Sequence, residues 1–346
     1  LGANDTITMD EFQTIIARIW ALKGSHLNDD FYETINKEWL NKSTIAAGEF
    51  TGSIISELHK QNNDKIEKII NELAGKQFAE GTKEQKIADF YSAALDTENR
   101  NKQGIEPIQK YLKAIDKAKT LNELVQADLT LEKELGISLL FNFSIMNDAK
   151  NSSENALYYN GLAISLDKNS FVTEDPTAKK AYIQYMTNIL VVSGEEESIA
   201  KVLAEKVYEM EKSLASVSLE PHEKADVNKY YNPYTIEQFS NMFKAVDMNH
   251  VLQSMKVDSA DKVIVFDVKL AQKGAELLTE TNLNVLKAYV KTQLLTATGD
   301  LLSDEFRNAS NEFVATFYGV IGEKTEQEIA LDLTIDSMSG YIEQMF

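Results

Sequence analysis

From residue 62 onward the chain repeats apolar residues every three or four positions, and that period constrains its fold more than any other feature. Ile66, Ile69, Ile70 and Leu73 make one stripe; Ile87, Phe90, Tyr91, Ala94 and Leu95 make the next. Such spacing puts one face of an α-helix in a core, whereas a strand would alternate every second residue. Four prolines and fifteen glycines in 346 residues leave few interruptions. Gly75 and Gly81 bracket the first break, and Gly104 and Pro107 mark the next. Helices are predicted over 121–135, 178–192, 196–218, 236–243, 269–279, 283–302, 304–317 and 327–346. In the helix at 196–218 the predicted buried face is Ile199, Val202, Leu203, Val207, Met210, Leu214 and Val217. Two segments break the helical pattern: SLLFNFSIM (138–146) and NALYYNGLAIS (155–165), on either side of NDAKNSSE. Aromatic and β-branched residues around an Asn/Asp/Ser turn predict a small hairpin, and KVIVFD (262–267) predicts another short strand. The fold class is mainly α, a multi-helix domain with a small β-hairpin.

The charge balance narrows the partners. Lys and Arg number 35 against 54 Asp and Glu, a net charge of −19. Phosphate binding needs clustered cations, so nucleic acid is excluded, and an anionic membrane surface repels the chain. The chain lacks cysteine, which removes disulfides, thiolate nucleophiles and Cys-ligated zinc. No apolar run approaches the ~18 residues of a spanning helix, and no signal peptide opens the chain. Residue 1 is Leu, which leads to the expectation that the sequence is a piece of a longer protein.

The motifs that carry chemistry are missing. Helical H-E-x-x-H would put two imidazoles one turn apart, but His26, His59, His222 and His250 include no pair four residues apart. HEKAD (222–226) offers Asp226 where the second His belongs, and Pro221 before it predicts a solvated polar turn. Neither a G-x-S-x-G elbow nor a glycine-rich phosphate loop occurs. Glu195, Glu196 and Glu197 are predicted as a helix N-terminal turn, favoured by the helix dipole. The pairs Tyr158–Tyr159 and Tyr230–Tyr231 are predicted as packing. No catalytic, metal-binding or substrate-binding residue is assigned.

Two stretches nonetheless resemble known families. LGANDTITMDEFQTIIARIWAL (1–22) is an amphipathic pattern capped near Asp5, with Phe12, Ile15, Ile16 and Ile19 at helical spacing. Through Ile7, Thr8, Glu11 and Phe12 it resembles the end of an S-layer homology module. That resemblance implies an extracellular, Gram-positive-type, cell-wall setting; residues 23–28 then read as a linker. DDFYETINKEWLNKSTI (29–45) is similar to the start of the neprilysin-family zinc metallopeptidase ectodomain, through Asp30, Phe31, Tyr32, Asn36, Trp39, Leu40 and Ile45. Further blocks follow in the family's order: Phe90, Tyr91, Asp96, Gly104 and Pro107; the 139–171 hairpin region; VNKYYNPYTIEQF; and LNVLKAYVKTQLLTATGDLLSDEF, with SGYIEQMF closing the series. The resemblance covers 29–346 and implies the family's N-terminal, cap-bearing region. The H-E-x-x-H helix, the downstream glutamate ligand and the Asn-Ala segment lie C-terminal to this stretch in the family, so zinc is expected in a separate C-terminal half and not here. Residues 29–74 are expected to pack on that half, leaving Phe31, Tyr32, Trp39 and Leu40 without their partner surface.

The sequence also departs from the family. An ungapped match places Ala46 at the usual Pro and Thr51 at a substrate-binding Arg, and an Arg-Trp pair is missing around 323–329. A guanidinium is suited to a peptide carboxylate, so its loss weakens the case for carboxylate-directed specificity. Two functions stay open. One is the cap of a secreted or wall-attached zinc metalloendopeptidase acting on short peptides, with its own C-terminal catalytic domain and the cell-wall polymer as partners. The other is a degenerate, non-catalytic relative that binds peptides or proteins at the cell surface.

Overall fold

The computed structural model of the chain describes residues 30–45, 52–173, 175–319, 322 and 324–345. The helix expected within 1–22, the linker at 23–28, His26, Ala46 and Thr51 lie outside the described residues.

Helix starts follow from capping side chains. Asp30 accepts from the Glu33 backbone N–H to open α1 (Phe31–Lys42), Ser53 from Ser56 to open α2 (Ile54–Leu73), and Thr82 from Gln85 to open α3 (Lys83–Leu95). Then come α4 (Thr97–Gln103), α5 (Gln109–Lys117) and α6 (Leu121–Leu135), the last closed by Gly136 at φ +69. A left-handed residue there lets the Gly136 N–H reach the Glu132 carbonyl, at 2.9 Å. Strands β1 (Phe143–Asp148) and β2 (Asn151–Tyr159) form a hairpin as expected, but they run into the stretch read as its turn, which narrows to Ala149 and Lys150. After α7 (Lys168–Val172) come the long helices α8 (Pro176–Val192) and α9 (Glu197–Val217). The chain continues through α10 (Val227–Tyr230), β3 (Asn232–Thr235), α11 (Ile236–Met242), α12 (Met248–Ser254), β4 (Lys262–Val265) and α13 (Val268–Leu277). It ends in α14 (Leu283–Thr298), α15 (Asp304–Tyr318) and α16 (Glu326–Ile342).

The hairpin belongs to a four-stranded sheet of order β1-β2-β4-β3. KVIVFD supplies β4, which pairs parallel with β2 and antiparallel with β3. The sequence reading missed β3; it is four residues long with Pro233 inside, and a proline strand survives only at a sheet edge. Alternation along β2 sends Leu157 and Tyr159 into the main core and Ala156 and Tyr158 to the opposite face, against Tyr230, Tyr231 and Ile264. Both tyrosine pairs are packing, as expected.

Two separate cores result. The larger runs from Ile108 to Ala309 around α14, which is buried on nearly every side. At its sheet end Phe141, Phe143, Tyr159, Phe239 and Phe243 interlock in edge-to-face and tilted pairs, with centroids 5.1–6.4 Å apart. The smaller core is a bundle of α2, α3 and α16, closed by Ile70, Leu73, Ile87, Tyr91, Ala330, Leu331 and Ile342. An ionic knot joins them. The Arg100 guanidinium reaches Asp304 at 2.8 Å and Glu326 at 3.2 Å, and Arg307 reaches Glu326 at 2.5 Å.

Three expectations need correction. Helix α9 buries Ala200, Ala204, Val207, Tyr208, Met210, Glu211, Leu214 and Ala215, while Ile199 and Val202 are half exposed. Val207, Met210 and Leu214 are buried as expected, and Leu203 and Val217 partly so. The alanines are what turn inward, because small residues admit close approach of neighbouring helices. Glu195 is not part of a helix N-terminal turn but pairs with the buried Lys291, and Glu196 is the cap, accepting from Ser198. Finally, α14 ends at Thr298, and Gly299–Leu301 is a separate 3₁₀ turn.

Candidate functional site

Among the described residues the histidines stay apart. His222 and Asp226 are exposed in the polar turn, where the Asp226 carboxylate caps α10 by accepting from Asn228. His250 is exposed on α12 within 3.3 Å of Gln126, and His59 is exposed on α2. Among the described residues no three His, Asp or Glu side chains come together in a way that fits a metal ion. No helix among them is long and apolar enough to cross a membrane.

The least ordinary surface is at the N-terminal end. Helix α1 shows Phe31 (67% exposed), Tyr32 (63%), Ile35 and Leu40, and the first turns of α2 show Ile54, Ile55 (66%) and Leu58, with Ile45 between them. On each helix most of these residues fall within about a third of the circumference, so they form stripes and not scattered exposures. Each side chain of this size gains ~1.5–3 kcal/mol when moved out of water, so each stripe favours a covering surface. Trp39 was expected to lose its partner surface with the others. It is instead half-buried, and its indole N–H donates to Glu57 Oε1 at 2.9 Å, pinning α1 to α2. Beside this face α1, α2 and α16 enclose a polar cleft of about 430 Å3, with Trp39, Glu57, His59, Glu67, Lys324 and Asp332 on its walls. Phe31, Tyr32 and Leu40 are legible in the opening motif; Ile54, Ile55 and Leu58 went unremarked, although their spacing was a usable signal.

Two buried carboxylates also escaped the sequence reading. Glu211 sits in the main core, where Ser165 donates its N–H and its hydroxyl (each 3.0 Å), Tyr182 its hydroxyl (3.1 Å) and Gln293 its amide (3.0 Å). Burial pushes its carboxyl up to about 7 against those donors. Asp128 accepts from the backbone N–H groups of Leu139 (2.8 Å) and Leu140 (3.2 Å), holding the segment that enters β1. Burial raises it, too, to about 7. Both groups are sealed from solvent, so they serve the core and not a ligand.

Comparison with known proteins places this geometry. The family model for the N-terminal region of peptidase family M13 matches residues 27–346. A neutral endopeptidase of Lactobacillus helveticus is 26% identical over 292 residues, covering 82% of this chain and 44% of that protein. A neutral endopeptidase of Lactococcus lactis is 21% identical over 321 residues, covering 92% of this chain and 51% of that one. The crystal structure of the Mycobacterium tuberculosis zinc metalloprotease ZMP1 with an inhibitor superposes with a TM-score of 0.82 at 20% identity, over 93% of this chain and 50% of that one. The mainly helical fold with its small sheet is thus shared, and the chain spans about half the length of the relatives it matches.

Proposed function

Because this chain belongs to peptidase family M13, we propose that it is the cap-bearing N-terminal region of a zinc metalloendopeptidase acting on short peptides. In this reading it shapes access to a reaction whose zinc ligands lie outside it. The observation that supports it is the apolar face of α1 and α2: eight exposed large side chains, from Phe31 to Leu58, on one short stretch of a chain half as long as its relatives. The occupant proposed for that face is the C-terminal catalytic half, whose docking would bury the stripe and set the small bundle beside the zinc site. In that half a zinc ion would polarise the scissile carbonyl while a glutamate activates water. The cap supplies walls and orientation. Wall attachment through residues 1–22 belongs to the same proposal, supported by the Ile7, Thr8, Glu11 and Phe12 pattern, and retention on purified cell walls checks it.

Peptide hydrolysis and metal content measured on residues 1–346, alone and together with the polypeptide encoded downstream, test the proposal. The chain alone is expected to hold no stoichiometric zinc and to cleave nothing, while the joined protein cleaves peptides and loses that activity to a chelator. Chelator-sensitive cleavage by the chain alone would overturn the assignment. A second reading, a degenerate peptide-binding relative, is favoured by Thr51 standing where the resemblance places a substrate-binding Arg. A joined protein that binds peptides without cleaving them selects it.

A further inference from the structure

The main core carries a groove of about 570 Å3 between α8 and α15, separate in sequence and in core from the apolar face of α1 and α2. Its floor is aromatic. The rings of Tyr185 and Phe313 stack with centroids 5.1 Å apart and planes at 26°, and Tyr182 backs Phe313 at 5.9 Å. Tyr185 is buried and fixed by its hydroxyl to Thr296 Oγ1 at 3.2 Å, so the floor is rigid; Phe313 also packs against Phe317 at 5.2 Å and Tyr318 at 6.2 Å, is half-buried, and lines the groove with the part of its ring that stays exposed.

The two helices run antiparallel, since Phe317 lies near Thr177 while Asn188 approaches Glu312. That places an exposed cation, Lys180, toward one end and an exposed carboxylate, Glu312, toward the other. The neighbouring Lys179 is engaged with Glu209 at 2.8 Å, whereas neither Lys180 nor Glu312 has an ion-pair partner among the described residues. Along one wall Gln184 donates to Asn188 at 2.7 Å, and Asn188 donates to Glu312 at 3.4 Å, so the lining is polar there. Lys180 and Asn188 are eight residues apart on α8, which at 1.5 Å per residue sets their backbone positions roughly 12 Å apart along the helix, with Glu312 beside Asn188. An extended peptide advances about 3.3 Å per residue, so its free ends span that distance at about four residues.

We propose that this groove binds a short unblocked peptide in extended form, with its carboxylate at Lys180, its amino group at Glu312 and an apolar or aromatic side chain against the exposed part of Phe313. Charge complementarity at two ends selects length and direction, and the ring surface selects an apolar or aromatic residue between them. The inference rests on the reading of the chain as part of a peptide-handling enzyme, for which it names a peptide-holding site on the cap itself.

Saturation-transfer NMR and calorimetric titration of the full chain with Ala-Ala-Phe-Ala, free at both ends, test it. Saturable binding is expected. Acetylation and amidation of the peptide, Lys180→Glu, and Glu312→Lys are each expected to weaken it about three- to fivefold, because an attraction is lost or turned into repulsion. Lys180 and Glu312 are exposed, so these variants keep the fold, which circular dichroism verifies. Equal affinity for free and blocked peptides, indifference to both charge reversals, or the lack of saturable binding would each overturn the groove assignment. Such failure leaves the metallopeptidase reading standing, since zinc content and hydrolysis of the joined protein judge that separately.

Discussion

Glu211 and Asp128 show what a single residue contributes to this fold. Each occupies a position on an apolar stripe, Glu211 four residues after Val207 and three before Leu214, Asp128 four after Leu124 and three before Leu131. An acid at such a position is a readable signal of a buried polar node, and reading the stripes by their apolar members alone passed over it. The consequence is a definite pH dependence. The Glu211 carboxyl stays protonated in the folded chain up to about pH 7, while the unfolded chain releases that proton near its ordinary value of 4.5. The folded state therefore holds the extra proton between those values, and stability falls as pH rises through that window and levels off above it. Glu211→Gln removes this group's share. Urea unfolding is expected to show that wild type loses on the order of 3 kcal/mol relative to the variant between pH 4.5 and pH 8. A difference between the two proteins that does not change with pH would refute it. Asp128 acts in the same direction in both proteins and cancels from the comparison.

Among elements, helices were the legible part because their stripes are long, and the errors fell where side-chain size misleads or where an element is too short to show a period. Helix α9 rotated because Ala200 and Ala204 pack inward, and β3 vanished behind Pro233. What no periodicity reveals is how elements join across cores. Arg100 on α4 and Arg307 on α15 meet Asp304 and Glu326 across 200 or more residues in the case of Arg100, and both guanidinium groups are nearly buried. Hydrogen bonds from Asn101, then Arg100, hold the Asp304 carboxyl below its usual range. Partial burial pushes Glu326 upward, but its bonds to Arg307 and Arg100 outweigh that and lower it. The stability from these depressed groups is present above their unfolded values, 3.8 and 4.5, and is lost as pH falls below them. Hydrogen exchange is expected to show protection of α2, α3 and α16 dropping in acid before that of α8, α9 and α14. In Glu326→Gln the same loss is expected already at neutral pH, with a stability cost of roughly 1–2 kcal/mol, reduced because Glu326 is itself half exposed. Equal protection in both sets of helices at every pH would contradict a junction of this kind.

At the level of the whole molecule, family and fold class were readable from ordered blocks of residues, whereas the site was readable only in part. Phe31, Tyr32 and Leu40 were legible as exposed apolar residues, but the Lys180 and Glu312 groove depends on how two helices 130 residues apart align, which no local pattern encodes. The two-core arrangement has its own test. The main core lies between the second and third helices of the small bundle in sequence, so it is an insert with its own interior. A fragment of residues 105–318 is expected to fold alone, with cooperative thermal unfolding and helical circular dichroism. A fragment of 52–96 is expected to remain unfolded, and a molten 105–318 would argue against independent cores.

The bundle of α2, α3 and α16 has a consequence for synthesis, which proceeds from the N-terminus. Ile70 and Ile87 leave the ribosome more than two hundred residues ahead of Ala330 and Leu331, the side chains that cover them. The intervening insert can acquire its shape while those first helices wait uncovered. Until α16 is made, the apolar stripes of α2 and α3 are a surface that a chaperone would cover.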